Sequence, residues 1–142
     1  MSRKGRFFDS FSDQDLDRLL KHCTLTKYSQ GQVVLRQGEL DDHEVYLIIV
    51  GGVAVEVASG GERVFLTHLR NGDIFGEFSM FSGEARSATV VTMEDSEILH
   101  IDIRQIDSLF EEFPRLAYDL IKHIADEACR KLSDLSRLRT SG

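Results

Sequence analysis

Hydrophobic residues change their spacing twice along the chain and divide it into three zones. Apolar positions near the N-terminus recur at helical intervals, whereas those in the middle lie in short runs separated by turn residues. The helical interval returns from residue 106 onwards. This order predicts a mainly β fold with flanking helices, and 142 residues suffice for a single domain, 1–142, with a full core.

The first zone predicts a short amphipathic helix over residues 12–22. Ser12 is a typical N-cap, and the carboxylates that follow it suit the positive end of a helix. Leu16, Leu19 and Leu20 then recur at helical spacing.

The middle zone, 24–103, predicts an antiparallel β-roll, jelly-roll-like in character. Short β-type runs occur at intervals of roughly ten residues, as in all-β barrels and sandwiches. They occupy residues 33–35, 45–50, 53–57, 63–69, 87–91 and 97–103, with glycine-containing turns between most of them.

The last zone predicts helices over 106–138, including one long C-terminal helix. Pro114, the only proline, suits the first turn of that helix because its missing N–H is not needed there. An apolar stripe continues further than a small roll would cover, so we expect a homodimer through residues 121–138, although Lys131 falls on the seam. The stripe consists of Ile121, Ile124, Ala128, Leu132, Leu135 and Leu138.

Composition and charge disfavour several classes of function. A net charge of −7 disfavours direct binding to nucleic acid by this chain. The longest apolar run, 45–50, is too short to cross a membrane, and no secretory signal follows Met1. Cys23 and Cys129 lack metal-ligand spacing, so we expect no metal and a reducing, cytoplasmic location.

Catalysis finds no support in the sequence. The nucleophile elbow, the phosphate loop, the zinc-binding helix motif and the dinucleotide turn are all missing, and the five histidines are scattered. We therefore predict a protein that is not an enzyme and needs no cofactor.

Residues 71–90 interrupt the β pattern and carry the candidate chemistry. Gly76 allows close backbone approach to a ligand, and residues 77–81 can form one helical turn with free N–H groups. Arg86 offers a planar cation suited to phosphate, Ser87 adds a hydroxyl, and Glu77 can accept a hydrogen bond from a sugar hydroxyl. One acid for a ribose and one guanidinium for a phosphate suggest a nucleotide. The simpler alternative is that Glu77 and Arg86 pair with each other on a loop.

The surrounding pattern resembles the cyclic-nucleotide-binding domain of the catabolite activator protein, the regulatory subunits of protein kinase A and cyclic-nucleotide-gated channels. Its phosphate-binding cassette is similar to GDIFGE (72–77) followed by RSATV (86–90), its central hairpin to YLIIVGGVAV (46–55), and its preceding turn to QGE (37–39). The resemblance covers residues 8–135. Ala85 stands where many members have proline.

The resemblance implies a role for each matching residue. Glu77 would take the ribose 2′-hydroxyl, with a backbone contact from Gly76, and Arg86 would hold the cyclic phosphate. The other implied ligand contacts are Ser79, Ser87 and Ala88 at the phosphate, Val55, Leu66 and Thr67 along the sugar and base, and Arg130 of the C-terminal helix at the base.

Two hypotheses follow from these observations. The first is a sensor domain for a cyclic nucleotide, cAMP rather than cGMP, although Ser87 is compatible with both. The resemblance implies that the cassette holds the ligand and that the C-terminal helix caps it. The alternative is a β-roll that serves as an interaction or oligomerisation module and binds no cyclic nucleotide.

Overall fold

The computed structural model describes residues 6–40, 43–77 and 85–140. Its helices and strands follow the predicted order, and the fold class, a β-roll between an N-terminal and a long C-terminal helical part, is confirmed. Two helices come first, α1 (Arg6–Ser10) and α2 (Asp13–His22). The strands are β1 (Thr24–Tyr28), β2 (Val33–Leu35), β3 (Glu44–Val50), β4 (Gly52–Ser59), β5 (Glu62–Arg70), β6 (Ile74–Phe75), β7 (Thr89–Thr92) and β8 (Ser96–Asp102). A 3-10 turn (Ile103–Gln105) then leads into α3 (Ile106–Glu112) and α4 (Pro114–Thr140).

In the described part of the chain the strands form two antiparallel four-stranded sheets. The first has the order β1-β8-β3-β6 and the second β2-β7-β4-β5. The expectation of a central hairpin over 46–55 is wrong, because β3 and β4 belong to different sheets. Gly51 lies at the corner between them with φ +122°, and a Cβ there would lie 2.1 Å from the Ser96 hydroxyl oxygen. A side chain is therefore excluded at this corner.

The hairpin in this region is formed by β4 and β5. Its register runs from Gly52 opposite Arg70 to Ser59 opposite Glu62. Val55 pairs with Thr67 but Glu56 pairs with Phe65, so Leu66 is an extra residue in a β-bulge.

Strand β3 explains the position of the core, because both of its faces are buried. Val45 and Leu47 pack with the helices, whereas Tyr46 and Ile48 pack in a second cluster with residues of the other sheet. A strand covered on both faces reads as a continuous apolar run, which is what residues 45–50 show.

The helix ends follow from local chemistry. Ser12 and Asp15 form a capping box, in which the Ser12 hydroxyl accepts from the Asp15 amide and the Asp15 carboxylate accepts from the Ser12 amide. Phe113 is non-helical, as expected before a proline, and Pro114 opens α4. None of the helices described is long and apolar enough to cross a membrane.

Candidate functional site

The candidate cassette connects the edge of one sheet to the other sheet. Strand β6 is an edge strand of the first sheet. It ends at Phe75 and is followed by Gly76 and Glu77, while Arg86 precedes β7 of the second sheet. Residues 78–84 lie outside the described part of the chain, and with them the predicted helical turn over 77–81 and the candidate Ser79.

Gly76 is required by its conformation and by its neighbours. Its φ is +80°, a left-handed value that side chains disfavour. A Cβ here would lie 3.0 Å from Nη1 of Arg86 and 3.1 Å from the ring of Tyr46. The absence of a side chain thus lets the guanidinium approach the turn closely.

Arg86 is buried, with 7% of its surface exposed. Its Nη1 donates to the Gly76 carbonyl at 3.2 Å, and its Nη2 donates to the Glu44 carbonyl at 3.1 Å. The guanidinium carbon lies 5.6 Å from the centroid of the Tyr46 ring. Both acceptors are backbone carbonyls, and together they orient the guanidinium.

The backbone at Arg86 is also fixed. Its amide donates to the Glu39 carbonyl at 2.9 Å, and its carbonyl accepts from the Gly38 amide at 2.8 Å. The predicted turn at 37–39 therefore supports the cassette directly.

A polar chain extends behind the Arg86 contact. Nδ1 of His100 lies 2.9 Å from the Glu44 carboxylate, and its Nε2 lies 2.9 Å from the Tyr28 hydroxyl. The three residues lie on β1, β8 and β3, which are neighbouring strands of the first sheet. This series of hydrogen bonds holds the side chain of Glu44, and the backbone carbonyl of Glu44 in turn orients Arg86.

Glu77, the candidate ribose ligand of the cassette, has only 1% of its surface exposed. Its Oε1 forms an ion pair with Nζ of Lys131 on α4, at 2.5 Å. Lys131 also donates to the Ile74 carbonyl at 2.8 Å. The carboxylate is therefore paired with the C-terminal helix, and the simple loop pair with Arg86 is not what the structure has.

Arg130, the sequence candidate on this helix, has different partners. It pairs with Glu127 and lies 3.9 Å from Asp134, both on α4 itself. Lys131 is thus the residue that sequence reasoning missed. The sequence signal for it is a charged side chain at a seam position of the apolar stripe, where a residue of a purely packing helix would be apolar.

The remaining sequence candidates stay predictions as ligand contacts. Val55 is half-buried and packs against the core between the sheets, whereas Leu66 and Thr67 of β5 are exposed. Ser87 is exposed and Ala88 is half-buried, both directly after Arg86.

Two other features are poor candidates for the site. A cavity of about 410 Å³ between α2 and the first sheet is lined by apolar side chains and by three carboxylates, those of Asp13, Asp17 and Glu97, which disfavour an anionic ligand. Burial raises the pKa of the Cys23 thiol to about 12, so this cysteine is a poor nucleophile.

Comparison with known proteins identifies the class to which this fold and site belong. Residues 25–113 match the sequence model of the cyclic nucleotide-binding domain. The chain belongs to this family.

Particular relatives are bacterial regulators. The chain is 32% identical to the cAMP-activated global transcriptional regulator CRP of Pasteurella multocida, over 88% of this chain and 58% of that protein. The catabolite activator protein of Thermus thermophilus superposes with a TM-score of 0.72 at 28% identity, covering 94% of this chain and 62% of that one. The chain thus spans little more than half the length of these relatives.

A further solved structure shows likeness of fold. It is a cyclic nucleotide-binding domain from Methylobacillus flagellatus, with a TM-score of 0.78 at 19% identity, covering 96% of this chain and 78% of that one.

Proposed function

We propose that this domain is a non-enzymatic sensor that binds a cyclic purine nucleotide at the cassette. The observation that carries this proposal is the placement of two oppositely charged side chains, Glu77 and Arg86, both buried at one turn and held by separate contacts. A buried arginine oriented by neutral carbonyls suits a phosphate, and a buried carboxylate suits a hydroxyl donor.

The charges at the site also agree with such a ligand. A cyclic phosphodiester carries one negative charge, and the buried Arg86 supplies a positive charge at the cassette despite the acidic character of the whole domain.

Calorimetric titration with cAMP and cGMP tests the proposal, with 5′-AMP as the non-cyclic control. We expect saturable heat with a cyclic nucleotide and weaker binding of 5′-AMP, whose sugar and phosphate are not held in one rigid ring. No heat with either cyclic nucleotide at high micromolar concentration would favour the alternative, a β-roll module that does not bind nucleotide.

For the choice of nucleotide, we propose cAMP over cGMP. The bacterial relatives are named as cAMP-activated, and the exposed hydroxyl of Ser87 is compatible with either base. Competition of labelled cAMP by unlabelled cGMP decides this, and displacement by cGMP at much lower concentration than by cAMP reverses the order.

We further propose a homodimer through α4. This helix has 27 residues and is about 40 Å long at 1.5 Å per residue. Leu132 on it is 53% exposed in the single chain, although it continues the apolar stripe of Ile124 and Ala128. A second copy of the helix would cover it. The structure does not describe the side chains of Leu135 and Leu138, which belong to the same stripe.

A further inference from the structure

The contact between Lys131 and the cassette has a consequence for ligand selection. Glu77 is almost completely covered, and its ionic partner is a lysine from a distant part of the chain. We propose that Lys131 is an internal occupant of the sugar subsite, which a ribose 2′-hydroxyl must displace from Glu77. This inference rests on the proposed function and adds a residue that sets ligand selectivity.

The environment of Glu77 supports displacement. The side chain of Glu77 is 1% exposed, whereas that of Lys131 is 24% exposed. The lysine is thus the partner with access to solvent, and its ammonium can leave and be hydrated while the carboxylate stays in place. A hydroxyl donor that replaces it gives the buried carboxylate a hydrogen bond in place of the ion pair.

Lysine is also the side chain best suited to such an exchange. Its charge lies at the end of a flexible four-carbon stem and its donors are not fixed in a fork, unlike those of arginine. A second contact holds it beside Glu77, namely the hydrogen bond to the Ile74 carbonyl. One contact joins α4 to strand β6 and the other joins it to the turn that follows β6, so displacement of Lys131 also loosens the attachment of the C-terminal helix there.

The exchange predicts a dependence on the 2′-hydroxyl that an ordinary binding site would not show. In the wild type, the gain from the 2′-hydroxyl is offset by the loss of the Lys131–Glu77 ion pair. A 2′-deoxy ligand leaves that pair intact. Removal of Lys131 should therefore strengthen binding of the ribonucleotide and hardly affect the deoxynucleotide.

The test is the affinity of cAMP and of 2′-deoxy-cAMP for the wild type and for Lys131→Met. Lys122→Met on the exposed face of the same helix is the matched control. We expect Lys131→Met to bind cAMP about tenfold more tightly, because the ion pair that opposes binding involves an almost fully buried carboxylate. It should bind 2′-deoxy-cAMP within about threefold of the wild type. Lys122→Met should change neither affinity.

Lys131→Gln provides a second variant, because its amide can still hydrogen-bond to Glu77 if the methionine variant does not fold. It should shift the cAMP affinity in the same direction by a smaller factor. Weaker cAMP binding, or an equal change for both nucleotides, would overturn the inference and leave the proposed function in place. Failure of the wild type and both variants to bind any cyclic nucleotide would overturn both.

Discussion

The carbonyl of Gly76 accepts a hydrogen bond from Nη1 of Arg86 at 3.2 Å, and a Cβ on Gly76 would lie 3.0 Å from that same nitrogen. The turn and the cation are thus fitted to each other across ten residues of chain. A substitution in the turn should therefore change the ligand affinity that depends on the cation.

Gly76→Ala should therefore reduce both stability and ligand affinity. A left-handed φ costs a residue with a Cβ about 1–2 kcal/mol, and the added methyl displaces the guanidinium. We expect at least about a tenfold loss of cyclic-nucleotide affinity in calorimetry.

Gly31→Ala is the matched control for this variant. Gly31 has a similar φ of +84°, but a Cβ there would meet no atom within 4 Å. Both variants should lose stability, and only Gly76→Ala should lose affinity. Equal affinities for the two variants would contradict the role given to Gly76.

Tyr46→Leu should weaken ligand binding by removing the ring beneath Arg86. A cation–π contact contributes about 0.5–2 kcal/mol, so a loss of affinity of about three- to tenfold is expected. Tyr46→Phe keeps the ring and should bind like the wild type. If both variants lose affinity equally, the hydroxyl rather than the ring supports the site.

Ser12→Ala should lower stability without changing the site. It removes the hydrogen bond from the Asp15 amide to the Ser12 hydroxyl, whereas the backbone amide of residue 12 keeps its bond to the Asp15 carboxylate. The loss should cost about 1 kcal/mol, which lowers the Tm by roughly 2–5 °C. Ser59→Ala, an exposed serine at the end of β4, is the comparison. Thermal unfolding measures both, and an unchanged Tm for Ser12→Ala would show that α2 does not depend on its cap.

Leu132→Asp should weaken the proposed dimer because it places a charge on the apolar stripe of α4. Cys129 is exposed and three residues earlier on the same side of the helix, so two copies of it would be close in a parallel dimer. Mild oxidation should cross-link the wild type through Cys129, because the raised pKa of Cys23 keeps that thiol unreactive. The variant should not cross-link. Sedimentation that shows a monomer at high micromolar concentration for the wild type would exclude the dimer.

Much of the fold could be predicted because its signals are local. The Ser12 cap, Pro114 and the apolar run at 45–50 each determine nearby backbone, and the structure has the expected elements there. The prediction of a hairpin over 46–55 is wrong for a physical reason. Sheet membership depends on which distant strand pairs with β3, namely β8 and β6, and no residue between β3 and β4 encodes that pairing.

The same distinction between local and long-range signals applies to the candidate site. Gly76, Glu77 and Arg86 can be proposed from the sequence because they lie within a short segment with a recognisable pattern. Lys131 cannot, because its contact with Glu77 depends on how α4 docks against the roll, 54 residues further along the chain. The resemblance implies Arg130 of the same helix as a contact to the base, and in the structure Arg130 pairs with its neighbours Glu127 and Asp134.

The most direct test of the central claim is the affinity of Arg86→Ala for cyclic nucleotide, measured by calorimetry beside Arg63→Ala. Arg63 is an exposed arginine that pairs with Glu56 on the β4–β5 hairpin, so its loss removes an equal charge away from the cassette. Arg86→Lys, which keeps the charge and loses the fork, guards against a variant that does not fold. Loss of the guanidinium leaves the phosphate without its cation, so we predict at least about a hundredfold weaker binding, about 2.7 kcal/mol, for Arg86→Ala, and no change for Arg63→Ala. Binding by a folded Arg86→Ala within about threefold of the wild type would contradict the account.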